Sequence, residues 1–145
     1  MYIRKANERD LSRIAEILVF TKRMNYRCIF HNDLVSFGEM QVLPTINEYR
    51  DKLDSIWVYD DQFVKGLIRL EEDEIKELYV DHFFQNENIG TALISYAKEF
   101  GSRWLWVLEK NYKGIMFYER NGFIKTQERQ LQEGTDEYLI KMKLK

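Results

Sequence analysis

Leu78-Tyr79-Val80-Asp81-His82-Phe83-Phe84-Gln85-Asn86-Glu87-Asn88-Ile89-Gly90-Thr91-Ala92-Leu93 is the stretch on which the reading of this chain turns. Leu78, Tyr79 and Val80 close a strand that begins at Glu74, and a polar turn follows. Ile89, Ala92, Leu93, Tyr96 and Ala97 then recur at helical spacing within Asn88 to Phe100. A helix start leaves backbone N–H groups unpaired and adds the positive end of the macrodipole, so an anion can sit there without a lysine. Gly90 has no side chain to obstruct a ligand, and Asn88 is among the few residues that tolerate positive φ. An ordinary capped helix explains the same polar turn equally well. A P-loop does not, because no Gly-Lys-Ser/Thr follows.

Upstream, Tyr2 to Arg4 reads as a short strand. Asn7 to Asp10 offers turn and N-cap chemistry ahead of the periodic set Leu11, Ile14, Ile17 and Leu18. From Thr21 to Leu43 the periodicity blurs into aromatics and polar residues, which predicts a mobile, partly helical excursion. Pro44, the only proline, precedes a helical stretch around Ile46 to Leu53. Ser55 to Asp60, Phe63 to Leu70 and Glu74 to Val80 form an antiparallel meander separated by tight polar turns.

Downstream, Arg103 to Leu108 is a strand, so strand, helix and strand imply a parallel crossover. A helix from Tyr112 to Arg120 stops at Asn121-Gly122, and strands near Phe123 to Arg129 and Glu137 to Leu144 complete the chain. The fold class expected is a mixed α/β (α+β) sheet, central and mostly antiparallel, flanked by helices in one domain spanning 1–145.

Composition excludes several functions. The 145 residues suit one core, and a net charge of −2 spread along the chain gives no basic face for nucleic acid. Cys28 is the only cysteine, so no internal disulfide forms and no Cys/His metal set is spaced for ligation. No secretion signal is read at the N-terminus, and no apolar run approaches the roughly 20 residues of a membrane span. The expectation is a cytoplasmic protein with no membrane partner and no metal.

The quoted stretch resembles the acyl-CoA-binding motif of the GNAT superfamily, Gln/Arg-x-x-Gly-x-Gly/Ala. Gln85 stands at the first position, Asn88 in place of the first glycine and Gly90 at the second. Asn111-Tyr112-Lys113-Gly114-Ile115-Met116-Phe117-Tyr118-Glu119-Arg120-Asn121-Gly122-Phe123 resembles its second signature, Asn followed by a helix ending in Phe-Tyr-Glu-x-x-Gly-Phe. The resemblance covers essentially the whole chain and implies an N-acetyltransferase with acetyl-CoA as co-substrate. It implies cofactor contacts from Leu78, Tyr79 and Val80 along the strand, from Gln85, Asn86, Glu87, Asn88, Ile89, Gly90 and Thr91 at the turn, and from Asn111. It also implies that Tyr118 protonates the departing thiolate, a task suited to a phenol of pKa about 10.

An alkylamine is almost wholly protonated at neutral pH, so a base is needed. Glu74, eleven residues before Gln85, falls where some histone-acetylating members carry their catalytic Glu. Glu77 lies on the opposite face of a regular strand. Members with a Glu five residues before the conserved Asn find Trp106 here. His31 and His82 match no catalytic position. Met24, Tyr26, Arg27, Phe30, His31, Phe37 and Met40 occupy the family's variable acceptor-binding region. The acceptor is a small-molecule amine or an amine of a peptide or protein. Many relatives pair as homodimers. A CoA-binding regulatory module with weak catalysis is the second reading.

Overall fold

The computed structural model describes residues 2–145. Its elements are β1 (Ile3–Lys5), α1 (Leu11–Phe30), α2 (Val42–Tyr49), β2 (Ile56–Asp61), β3 (Phe63–Glu71), β4 (Glu74–Val80), α3 (Ile89–Glu99), β5 (Trp104–Leu108), α4 (Tyr112–Arg120), β6 (Phe123–Leu131) and β7 (Tyr138–Leu144). Seven strands form one sheet in the order β1-β2-β3-β4-β5-β7-β6. All neighbours are antiparallel except β4 and β5, which α3 joins as a parallel crossover. The mixed sheet and the bounds of β4 and α4 follow the sequence expectation.

Alternation sorts the side chains into two layers. Ile68, Leu70, Ile75, Leu105, Ile140 and Met142 pack beneath α3 and α4 with Ile89, Leu93, Ile94 and Ile115. Ile56, Val58 and Leu67 pack on the other face against Leu11, Ile14, Ile17 and Leu18 of α1 and Tyr49 of α2.

The entry to α1 is fixed by charge. Asn7 Oδ1 accepts from the Arg9 N–H at 3.0 Å, Asp10 Oδ2 accepts from the Asn7 N–H at 2.8 Å, and Arg4 Nη1 donates to Asp10 Oδ2 at 2.8 Å. Arg4 holds the buried Asp10 carboxyl below its ordinary range, against the opposing cost of burial. A depressed folded value contributes stability above the ordinary carboxylate range and loses it as pH falls through the folded value. Asp10→Asn should therefore lower stability at pH 7 by about 1–3 kcal/mol and flatten the acid limb of urea midpoint against pH. An unchanged acid limb would remove Asp10 from the account.

Two expectations are corrected. The helix expected to end near Leu18 runs on to Phe30 and is stopped by His31, whose φ of 52° is left-handed. Tyr26 and Ile29 take its inner face. Phe20, Met24, Arg27, Cys28 and His31 line an open outer groove with Phe37, so the presumed excursion is largely helix and only part of it faces the sheet. Glu77 is also misplaced by simple alternation. Arg69 pairs with Glu77 but Leu70 pairs with Ile75, which leaves Lys76 as the extra residue of a β-bulge. Ile75 and Leu78, three apart, both pack under α3, and Glu77 turns to α1 and α2.

Candidate active site

β4 and β5 pair only at Glu74 with Trp104 and Ile75 with Leu105, then part. Beyond Ile75 the edge of β4 facing β5 is unpaired, while its other edge stays bonded to β3 through Val80. Main-chain groups alternate sides along a strand, so Leu78 and Val80 turn theirs to the fork, the Val80 carbonyl already accepting from Gln85, whereas Tyr79 and Asp81 turn theirs to β3. Asp81 anchors the strand end: its Oδ2 meets Arg13 Nη2 of α1 at 2.7 Å, and its Oδ1 accepts from the Phe83 N–H at 2.9 Å.

The turn into α3 contains two left-handed residues, Asn86 and Asn88, each with φ of 66°. Asn88 is the N-cap of α3, yet its side chain makes no capping bond. The first helical bond runs from the Ala92 N–H to the Asn88 carbonyl at 3.0 Å, so the N–H groups of Ile89, Gly90 and Thr91 have no intrahelical acceptor. Uncapped donors at the positive end of an eleven-residue helix fit a pyrophosphate. Asn86, Glu87, Asn88 and Thr91 are exposed, whereas the Ile89 side chain is buried and only its backbone can face a ligand. Gln85 Nε2 donates to the Val80 carbonyl at 3.2 Å, bracing the turn against the strand.

A backbone conformation that L residues resist makes Asn88 testable. Asn88→Gly should keep stability and acetyl-CoA affinity, whereas Asn88→Val should cost about 1–2 kcal/mol of stability and weaken binding. Equal thermal midpoints and equal calorimetric affinities for the two variants would reject a left-handed requirement.

Gly90 is small for a different reason from the one expected. A Cβ there would lie 3.1 and 3.2 Å from the Phe117 ring and 3.7 Å from Val80 Cγ2. The close approach is to α4 and the core, so the helices touch where the two sequence motifs meet. Gly114 is likewise constrained by packing, because its Cβ would lie 2.5 Å from Asn111 Nδ2. Asn111 caps α4 through Oδ1, which accepts from the Gly114 N–H at 3.0 Å. Its amide nitrogen makes no hydrogen bond among the described residues.

Tyr118 leaves α4 beside Phe117 and Phe123. Burial pushes its phenol well above the ordinary value, and Tyr26 adds to the shift. Tyr26 belongs to α1, on the opposite face of the sheet, so it acts on Tyr118 from across the sheet. The Tyr26 and Tyr79 hydroxyls also interact, and burial raises both phenols.

On the α1 side lies a carboxylate network. Glu77 Oε1 accepts from Arg69 Nε at 2.7 Å and from the Tyr49 hydroxyl at 2.8 Å, and Oε2 approaches Lys22 Nζ at 3.9 Å. Glu74 is placed elsewhere. It pairs with Lys76 at 3.1 Å where the strands are still joined, and it opens onto a cleft lined by Glu71, Glu72, Asp73 and Trp104.

Comparison with known proteins matches the fold and gives the family. The family model for the GNAT acetyltransferase domain covers residues 52–125, half of the chain. The chain belongs to the GNAT family. An uncharacterized N-acetyltransferase of Methanocaldococcus jannaschii is 41% identical over 70 residues, which cover 44% of this chain and 31% of that protein. The match thus spans about a third of the curated relative's length. An N-acetyltransferase of Staphylococcus aureus superposes with a TM-score of 0.79 at 15% identity, covering 99% of this chain and 100% of its own. The PaiA N-acetyltransferase of Thermoplasma acidophilum, in complex with coenzyme A, gives 0.72 at 18% identity with 97% of each chain covered. YncA of Salmonella typhimurium, with its cofactor acetyl-CoA, gives 0.67 at 19% identity, covering 99% and 92%.

In this GNAT chain the turn and the free edge of β4 lie at the open end of the fork, Asn111 follows the end of β5, Tyr118 lies on the helix that Asn111 caps, and Glu74 sits apart at the closed end. Tyr26, expected only within the acceptor-binding region, and Glu77, set aside on the opposite face, lie together on the α1 side of β4. Tyr26 carried a signal, since it continues the period of Ile14, Leu18 and Lys22 along α1. Glu77 carried none, because a bulge has no side-chain pattern of its own.

Proposed function

We propose that the protein transfers an acetyl group from acetyl-CoA to an amine by direct attack in a ternary complex. The observation that supports this most is the fork itself, with uncapped helix donors at its open end and Tyr118 on α4, the helix that follows β5. The N–H groups of Ile89, Gly90 and Thr91, with the turn from Gln85 to Asn88, would hold the pyrophosphate. The main-chain groups of Leu78 and Val80 on the free edge of β4, with Tyr79 contributing only its place in the strand, and the Asn111 amide would hold the pantetheine arm. When bound, acetyl-CoA supplies an acyl group activated as a thioester.

The chain's own residues then orient, exclude water and move two protons. As the new N–C bond forms and the C–S bond breaks, Tyr118 Oη gives its proton to sulfur. Its raised pKa keeps that proton in place at neutral pH. The amine proton needs an acceptor. Glu77 is already committed to Arg69 and Tyr49, so its carboxylate is a poor acceptor for it. Glu74 has an open path to solvent and is assigned as the acceptor through water, in competition with its Lys76 partner.

Cys28 lies on the outer groove and takes no part, so no acyl-enzyme is required. The test is calorimetric titration with acetyl-CoA followed by a screen of amines with detection of released thiol. Binding without transfer to any amine would leave the CoA-binding module instead, and absence of binding would end both readings.

A further inference from the structure

Lys22 is a cation on the sheet-facing side of α1 to which the proposed reaction gives no task. It projects from α1 on the same face as Tyr26, one turn earlier, toward β4. Its ammonium lies 5.9 Å from the centre of the Tyr79 ring and 3.9 Å from Glu77 Oε2. That second distance is at the limit of an ion pair, and the carboxylate is already taken. Arg69 Nε holds Oε1 at 2.7 Å, and the Tyr49 hydroxyl bridges both oxygens at 2.8 and 2.7 Å. Glu71 meets Arg69 at 3.1 Å from the exposed hairpin tip. Glu74, the remaining carboxylate of this strand, is held by Lys76.

The groups against Lys22 are therefore Glu77, already neutralised by Arg69 and bonded by the Tyr49 hydroxyl, and the ring of Tyr79. The Lys22 side chain is 28% exposed, so its charge is neither freely solvated nor closely paired. A half-desolvated ammonium with donors to spare recognises an anion strongly. It also repels a second cation, which disfavours acceptors that carry several ammonium groups.

We propose that Lys22 recognises a carboxylate on the acceptor, so that the amine acetylated at this fork belongs to a free amino acid and not to a polyamine. The inference rests on the acetyltransferase reading of the same site. The acceptor would lie between α1 and β4, with its carboxylate on Lys22 Nζ and its amine toward the fork. Lys22 is a specificity-determining residue in this arrangement and takes no proton.

The experiment compares each amino acid with its own carboxamide, which keeps the shape and removes one charge. Both are titrated calorimetrically into CoA-loaded protein, and both are assayed for thiol release from acetyl-CoA. The acid form should be favoured over the amide by about 10–100-fold in affinity and in kcat/KM for at least one amino acid, as expected for one charge-assisted contact. Lys22→Met keeps the apolar stem and should abolish the preference with acetyl-CoA affinity intact, whereas Lys22→Arg should retain it.

A wild type that prefers amides or diamines, or a Lys22→Met variant that still discriminates, would overturn the assignment. Lys22-dependent binding of the acid without acetyl transfer would uphold it and sink the catalytic reading. Transfer without discrimination would do the reverse.

Discussion

Tyr118→Phe should fold and bind acetyl-CoA as the wild type does, and its single-turnover rate should fall by about 10²–10⁴. The ring and its contacts with Phe117 and Phe123 are kept. The hydroxyl has no hydrogen-bond partner among the described residues, so its removal strands no other group and costs little stability. Only the proton donor is lost. Single turnover is the proper measurement, because product release can hide a slower chemical step in kcat. The pH dependence gives a second check. Burial raises the Tyr118 phenol above its usual value, so the wild type should show no alkaline loss of rate from this group near neutrality. If the folded, CoA-bound variant acetylates its best amine at the wild-type rate, Tyr118 is a core aromatic and nothing more.

What the sequence makes legible is what local chemistry controls. Asn111 followed by apolar residues at helical spacing yields the bounds of α4, and polar turns bracket β4 at Glu74 and Val80. Asn88 was legible as a left-handed residue because few side chains tolerate that conformation. The bulge at Lys76 was not legible, since it appears only when β3 and β4 are laid in register. The sequence therefore points to Glu74 as the acid near the thioester, while the pleat delivers Glu77 to the α1 side. The action of Tyr26 on Tyr118 across the sheet was hidden for a related reason. It depends on how elements distant in the chain are laid together, which side-chain pattern alone does not show. The length of α1 was obscured because its outer face carries Phe20 and Met24, which blur the amphipathic period.

Gly90→Val should destabilise the fold by about 1–3 kcal/mol and weaken acetyl-CoA binding, and the first effect should cause the second. Sequence reasoning assigns the missing side chain to the ligand's space, but a Cβ at 90 points at the Phe117 ring from 3.1 Å and at Val80. Two branched methyls would have to displace that ring, which belongs to the same helix as Tyr118. The insult would therefore move the start of α3 away from α4 and tilt the acid at once. A second substitution separates the alternatives. Phe117→Leu removes the far side of the ring and gives the new side chain room, at its own cost in lost packing. If packing is the reason for glycine, Gly90→Val and Phe117→Leu are coupled, and the double variant is more stable than the sum of the two single losses predicts. Its acetyl-CoA affinity should recover in step with urea stability. If the ligand is the reason, stability is additive, and affinity stays as low in the double variant as in Gly90→Val alone. The contact distances favour coupling, because the helix N–H groups that would hold a pyrophosphate point outward from α3 while the Gly90 Cβ direction points into the core.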